Sequence, residues 1–116
     1  MSDSFNLFNL DVTVVGDPAT FVCSHKIGHA FNVEGENIVF DTLNDRFSLY
    51  SLAAILPLLP AKQRLSQDND WISSDNEMVA CPDTQCSAKF KITRTTQQSF
   101  RHSDVTKLPI GKNSKG

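Results

Sequence analysis

The chain has 116 residues, a length that fits one domain and leaves little room for a second. Its net charge is −2, which provides no basic field for nucleic acid, and its 40% of hydrophobic residues can build one core. No apolar run approaches the roughly 20 residues that cross a bilayer, and the first residues lack the features of a secretory signal. We therefore expect a cytoplasmic protein with no membrane partner. Its three cysteines should be reduced thiols or metal ligands rather than disulfides.

Alternating side chains predict a strand near the start of the chain. Leu10, Val12 and Val14 alternate with polar residues over 9–15, which is the period of a half-buried strand. After a short apolar segment at 21–23, residues 30–41 read as a hairpin whose turn contains Gly35.

One helix is predicted over 45–59, with Asn44 or Asp45 capping its first turn. Pro57 should kink or end the last turn, because proline removes an internal hydrogen bond. The apolar positions fall at helical spacing and form a wide stripe, which indicates burial on a sheet or in a homodimer: Leu49, Leu52, Ala53, Leu56 and Leu59.

The second half of the chain predicts a polar connection followed by two strands. Residues 61–76 are polar and contain Trp71, which either anchors this loop to the core or forms a pocket wall. Residues 77–81 and 88–93 predict strands that the Cys81-to-Cys86 turn joins.

This order of elements predicts an α+β fold, in which a small, mostly antiparallel sheet of about five to six strands packs on one main helix at about 45–59. Residues 1–8 would be a flexible arm, residues 9–94 a single globular domain, and residues 95–116 a disordered polar tail.

Two segments of the chain resemble motifs of a known protein family. The first is Cys23-x-His25-Lys26-x-Gly28-x-x-Phe31, and the second is Val79-Ala80-Cys81-Pro82-Asp83 ahead of a closing strand. Over about residues 9–94 the chain is similar to a family of small proteins, mostly bacterial and near this length, that have no established activity. The resemblance implies the domain boundaries and directs attention to the two cysteine segments, but it implies no reaction.

The two cysteine segments carry the main candidate catalytic groups. They offer thiols, an imidazole, an ammonium and a carboxylate, in Cys23, His25, Lys26, Cys81 and Asp83. A neighbouring cation or histidine activates a thiol, and histidine moves protons near neutral pH. This hypothesis requires the two segments to meet in space. The alternative is an ordinary polar loop with solvated side chains.

Three further residues are candidates for substrate binding. Arg46 opens the predicted helix and could bind an anion, Tyr50 follows on the same helix, and Trp71 could form a pocket wall. The alternative for Arg46 is an ordinary surface position.

A zinc site is the second hypothesis for the same segments. Cys23, His25, Cys81 and Cys86 together supply the ligand types of a closed zinc site. The spacing permits such a site without being diagnostic, because strong zinc motifs use pairs of cysteines with two residues between them. The alternative is that these cysteines are small buried residues.

The sequence favours an enzyme that processes a small organic substrate by acid–base chemistry, a lyase or isomerase without a cofactor, in a pocket between sheet and helix. The alternative is a non-catalytic binding or structural module, zinc-stabilised in one version, that acts through a protein partner. Lys89, Lys91 and Arg94 predict an outward basic edge, but without interleaved aromatic residues this edge does not predict nucleic-acid binding. A homodimer through the apolar helix is compatible with both hypotheses.

Overall fold

The computed structural model describes residues 3–22, 25–41, 45–74 and 78–111. Five strands form one antiparallel sheet in the order β3-β2-β1-β5-β4. The strands are β1 (Ser4–Val15), β2 (Gly28–Glu34), β3 (Asn37–Val39), β4 (Met78–Ala80) and β5 (Lys89–Arg101). The helices are α1 (Leu49–Ile55), α2 (Leu58–Lys62) and α3 (His102–Val105). The mixed fold with a small antiparallel sheet is confirmed.

The core lies between the sheet and the first two helices. Val12 and Val14 are buried and so are Phe90 and Ile92 on the neighbouring strand, because all four side chains point to the same face of the sheet. Helices α1 and α2 cover this face with Ile55 and Leu59. The predicted hairpin is confirmed, since Glu34 pairs with Asn37 and Gly35 has a φ of 59°.

The predicted helix over 45–59 is wrong in its extent. The helix begins at Leu49, because Ser48 takes an extended conformation and its side chain accepts a hydrogen bond from the backbone of Ser51. It ends at Ile55, and Leu56 and Pro57 form the turn that leads into α2. Asn44, one of the two caps predicted, lies outside the described residues.

The ends of the domain also differ from the sequence-based interpretation. Strand β1 begins at Ser4, and β5 continues through residues 95–101 before α3. These largely polar segments hold each other through backbone pairing, with Ser4 opposite Arg101, and through the stacked rings of Phe5 and Phe100, whose centroids are 5.6 Å apart. Backbone pairing leaves little hydrophobic signal in the sequence, which explains why these residues read as an arm and a tail. The apolar segment at 21–22 forms no strand.

The predicted outward basic edge is wrong for Arg94. Arg94 lies on the same face of β5 as Phe90 and Ile92, and its guanidinium donates to the carbonyl oxygens of Lys62 and Arg64 at 2.7 Å each. Arg94 thus supplies hydrogen-bond donors to carbonyl groups at the end of α2, which have no partner within the helix. No described helix is long and apolar enough to cross a membrane.

Lys62 is fully buried at the end of α2. Its Nζ donates to the carbonyl oxygens of Ile72 and Ser74, at 2.7 and 2.6 Å, and so fixes the connection that leads from the helix back to the sheet. A buried ammonium persists only where such partners replace water.

We expect Lys62→Met to lower the free energy of unfolding by about 1–3 kcal/mol, because it removes the donor that Lys62 supplies to the carbonyl oxygen of the buried Ile72. Urea unfolding monitored by circular dichroism measures this change. The control is Lys107→Met at an exposed position, which should change stability little. Equal stability of the two variants would contradict a role for Lys62 in fixing the loop.

Candidate acid–base site

The segment after β1 and the segment before β5 lie side by side. At Gly16, which has a φ of 125°, an added Cβ would stand 3.0 Å from the carbonyl oxygen of Ser87, so only glycine allows this approach. The Ser87 hydroxyl hydrogen-bonds to that of Thr20 and also donates to the carbonyl oxygen of Asp17 at 3.4 Å. These contacts bring the chain that leads toward His25 next to the 81–88 loop.

A cavity of about 330 Å³ opens between these two segments and the start of α1. Its size is at the lower end of the range for small-molecule sites. The cavity is lined by residues from all three parts of the chain: Val22, Ser48, Tyr50, Ser51, Cys81, Pro82 and Asp83.

His25 lies behind this cavity, among aromatic rings. Its imidazole packs at 4.9 Å from the ring of Phe47 and edge-on at 4.8 Å from that of Phe90, measured between ring centroids. Burial lowers the pKa of His25 from its ordinary value of 6.5, because the charged form loses water. The imidazole is therefore neutral at pH 7 and can accept a proton.

Ser51 connects His25 to Cys81. The Ser51 Oγ lies 2.8 Å from His25 Nε2 and 3.9 Å from Cys81 Sγ, the latter a weak contact of the kind thiols make. Ser51 is 1% exposed and Cys81 8% exposed, yet both line the cavity. The imidazole, the hydroxyl and the thiol thus form a hydrogen-bonded row, which we call the His25–Ser51–Cys81 row.

The structure brings some of the predicted catalytic residues together. His25 and Cys81 meet through Ser51, and Asp83 lines the cavity with its carboxylate accepting from the backbone N–H of Gln85 at 3.0 Å. Lys26 is exposed and does not line the cavity. Cys23 lies outside the described residues, so its predicted role stays a prediction.

Of the three predicted substrate-binding residues, one lines the cavity and two do not. Tyr50 lines the cavity and is 81% exposed at its mouth. Arg46 is exposed, and neither it nor Trp71 lines the cavity. Trp71 is 60% exposed in a 3-10 turn, where its neighbour Ile72 is the buried residue that anchors the loop.

The described residues contain no group of three or more His, Cys, Asp or Glu side chains arranged to hold a metal ion. The predicted zinc ligands His25, Cys81 and Cys86 therefore do not make such a group by themselves. The fourth predicted ligand, Cys23, is not described. Cys81 forms no disulfide with a described residue.

Sequence reasoning missed Ser51. One signal was present, because Ser51, Ile55 and Leu59 are spaced by four and share the buried side of the helical segment. A single hydroxyl on an apolar helix face needs a partner when it is buried, and here the partner is His25.

His29 lies on the face of the sheet opposite the buried side chains of Val12 and Phe31. It pairs with Thr13 of β1, and its Nε2 is 2.6 Å from the side-chain oxygen of Asn32. That hydrogen bond raises the pKa of His29, and the negative charges of Asp11 and Asp41, at 3.2 and 3.4 Å, raise it further.

Comparison with protein-family models, with curated proteins and with solved structures found no match to this chain. The function must therefore be argued from the geometry of the site.

We expect His25 to titrate below pH 6.5 and His29 above it, which proton NMR of the imidazole C–H signals measures directly. Asp11→Asn should lower the pKa of His29 by removing a negative charge, and it should leave the pKa of His25 unchanged. A pKa of His25 at or above 6.5 would contradict its burial among the aromatic rings.

The two histidines should affect stability at opposite ends of the neutral range. His29 stabilises the folded chain fully below pH 6.5, and this contribution is lost as pH rises through its raised folded pKa. His25 contributes fully above pH 6.5, and its contribution falls as pH drops from 6.5 toward its lowered folded pKa. Urea unfolding from pH 5 to 8 measures both effects. His25→Gln should flatten the acidic part of the profile and His29→Gln the neutral-to-basic part; a variant profile that parallels the parent contradicts the assignment for that histidine.

Proposed function

We propose that the protein is a small-molecule enzyme of the non-redox acid–base type, a lyase or an isomerase, with its active site in the cavity beside α1. The observation that carries the proposal is the His25–Ser51–Cys81 row, which ends in a cavity of about 330 Å³. A neutral imidazole behind a hydroxyl is a proton acceptor, and a thiol is a proton donor. One site therefore holds both groups that such chemistry needs.

The proposed proton path begins at a C–H bond next to a substrate carbonyl. Ser51 Oγ takes this proton while its own hydroxyl proton moves to His25 Nε2, because His25 does not itself line the cavity. The Cys81 thiol donates its proton to the position of the substrate that becomes negative. The imidazolium then returns its proton through Ser51 to the Cys81 thiolate, so each group ends in its starting state.

The aromatic surroundings of His25 support this path. Phe47 and Phe90 shield part of the imidazole from water, which lowers its pKa and favours the uncharged form at neutral pH. Once protonated, the imidazolium has lost hydration, which favours the return of its proton.

A second candidate function has its own supporting observation. Leu49 and Tyr50 are 80% and 81% exposed at the start of α1, and Val22, which lines the same cavity as Tyr50, is 62% exposed. Such an apolar cluster is also typical of a contact with a protein partner, as in a non-catalytic binding module or a homodimer. In that case the cavity would perform no proton transfer.

Deuterium exchange separates the two candidates. Cyclohexanone, hydroxyacetone and phenylacetaldehyde are incubated with the protein in D₂O, and loss of the proton signal next to each carbonyl is followed by NMR. We expect exchange of at least one compound above the buffer rate. His25→Gln should lower this exchange by about a hundredfold or more, the usual contribution of a positioned base.

Ser51→Ala should lower the exchange as His25→Gln does, since the proton passes through its hydroxyl. The matched control is His29→Gln, which removes a histidine from the opposite face of the sheet and should keep full exchange. A folded protein that accelerates exchange of none of the three compounds would contradict the proposed enzyme and favour the binding module.

A further inference from the structure

We infer that the molecule bound in the cavity beside α1 is a small uncharged organic compound with an oxygen acceptor and an apolar body, rather than a phosphate- or carboxylate-bearing one. This inference rests on the proposed function and narrows its substrate class. It comes from the charges and polar groups that the described residues present to the cavity.

The described lining residues contain one ionised group, the carboxylate of Asp83. A hydrogen bond orients this carboxylate, because Oδ1 accepts from the backbone N–H of Gln85 in the turn after Pro82. A negative charge on a ligand would therefore face a negative charge at the cavity wall. Like charges at close range disfavour binding.

No described lining residue supplies a positive charge to offset this repulsion. Lys26 and Arg46 are exposed and do not line the cavity, although the sequence placed them beside the site. His25 stands behind Ser51 and is neutral at pH 7. Binding an anion without a cationic partner costs free energy that a small site does not recover.

The remaining groups suit an uncharged molecule. The Ser51 hydroxyl and the Cys81 thiol can hydrogen-bond to a carbonyl or hydroxyl oxygen, whereas Val22 and Pro82 offer apolar surface. Tyr50 adds an exposed ring at the mouth. A positively charged ligand is attracted to Asp83, but water screens the exposed carboxylate for ligands of either charge. This modest attraction does not replace the hydration that an ammonium group loses on entering the cavity.

Three probes of nearly equal size and different charge test the inference: benzyl alcohol, benzoate and benzylamine. Each is titrated into the full-length protein labelled with ¹⁵N, and the shifts of the Ser51, Cys81 and Asp83 backbone amides report binding. We expect benzyl alcohol to bind with a dissociation constant at least about tenfold lower than that of benzoate, and benzylamine to bind no more tightly than benzyl alcohol.

A charge variant and a control make the test specific. Asp83→Asn should strengthen benzoate binding by about threefold or more, because it removes the facing charge. Asp104→Asn, at an exposed position in α3, should leave all three dissociation constants unchanged.

Three results would overturn the inference: benzoate binding as tightly as benzyl alcohol, benzylamine binding tenfold more tightly than benzyl alcohol, or no shift of the site amides with any probe. The proposed function has a separate readout in deuterium exchange. If benzoate binds tightly and deuterium exchange is still accelerated, the inference about the substrate class is wrong but the proposed enzyme function stands. If benzyl alcohol binds selectively and no compound shows accelerated exchange, the proposed enzyme function is wrong but the inferred preference for an uncharged ligand stands.

Discussion

The antiparallel pairing of β1 with β5 is the constraint on which the rest of the structure depends. It joins the first strand of the chain to the last, from Ser4 opposite Arg101 to Val15 opposite Lys89. Because Val15 and Lys89 are partners, the chain that leaves β1 and the chain that enters β5 begin as neighbours at one end of the sheet. Residues 17–22 and the 81–88 loop therefore meet there, and the cavity forms where α1 approaches them.

The face of the sheet decides what each histidine can do. His25 and His29 are four residues apart, but His25 packs under the helices against Phe90, whereas His29 stands on the opposite face between Asp11 and Asp41. Desolvation lowers the pKa of the first, and a hydrogen bond and negative charges raise that of the second. The same side chain is thus a neutral proton acceptor at one place and part of a charged surface network at the other.

Much of the sheet could be predicted from local patterns. Alternation marked Val12 and Val14 as buried, and Gly35 marked the hairpin turn. The patterns failed where long-range contacts decide the structure. The far half of β5 exists because Ser4–Phe8 pairs with it, and the start of α1 is set by the Ser48 side chain rather than by apolar spacing. Neither contact leaves a periodic signal in the sequence.

In the candidate site, too, local sequence identified some residues, whereas long-range contacts decided the role of others. The residue types of His25, Cys81 and Asp83 identified them as reactive, but Ser51, which connects two of them, looked like one more position in an apolar helix. Its role follows from geometry: a buried hydroxyl must have a hydrogen-bond partner, and Ser51 Oγ lies 2.8 Å from Nε2 of His25, whose pKa is lowered by burial. Lys26 and Arg46 show the opposite case, in which residues predicted at the site lie outside it. Both are exposed, because a charged side chain stays in solvent unless the fold buries it beside a partner. Among the described residues that line the cavity, Asp83 is therefore the one that carries a charge, and Lys26 and Arg46 are not among them.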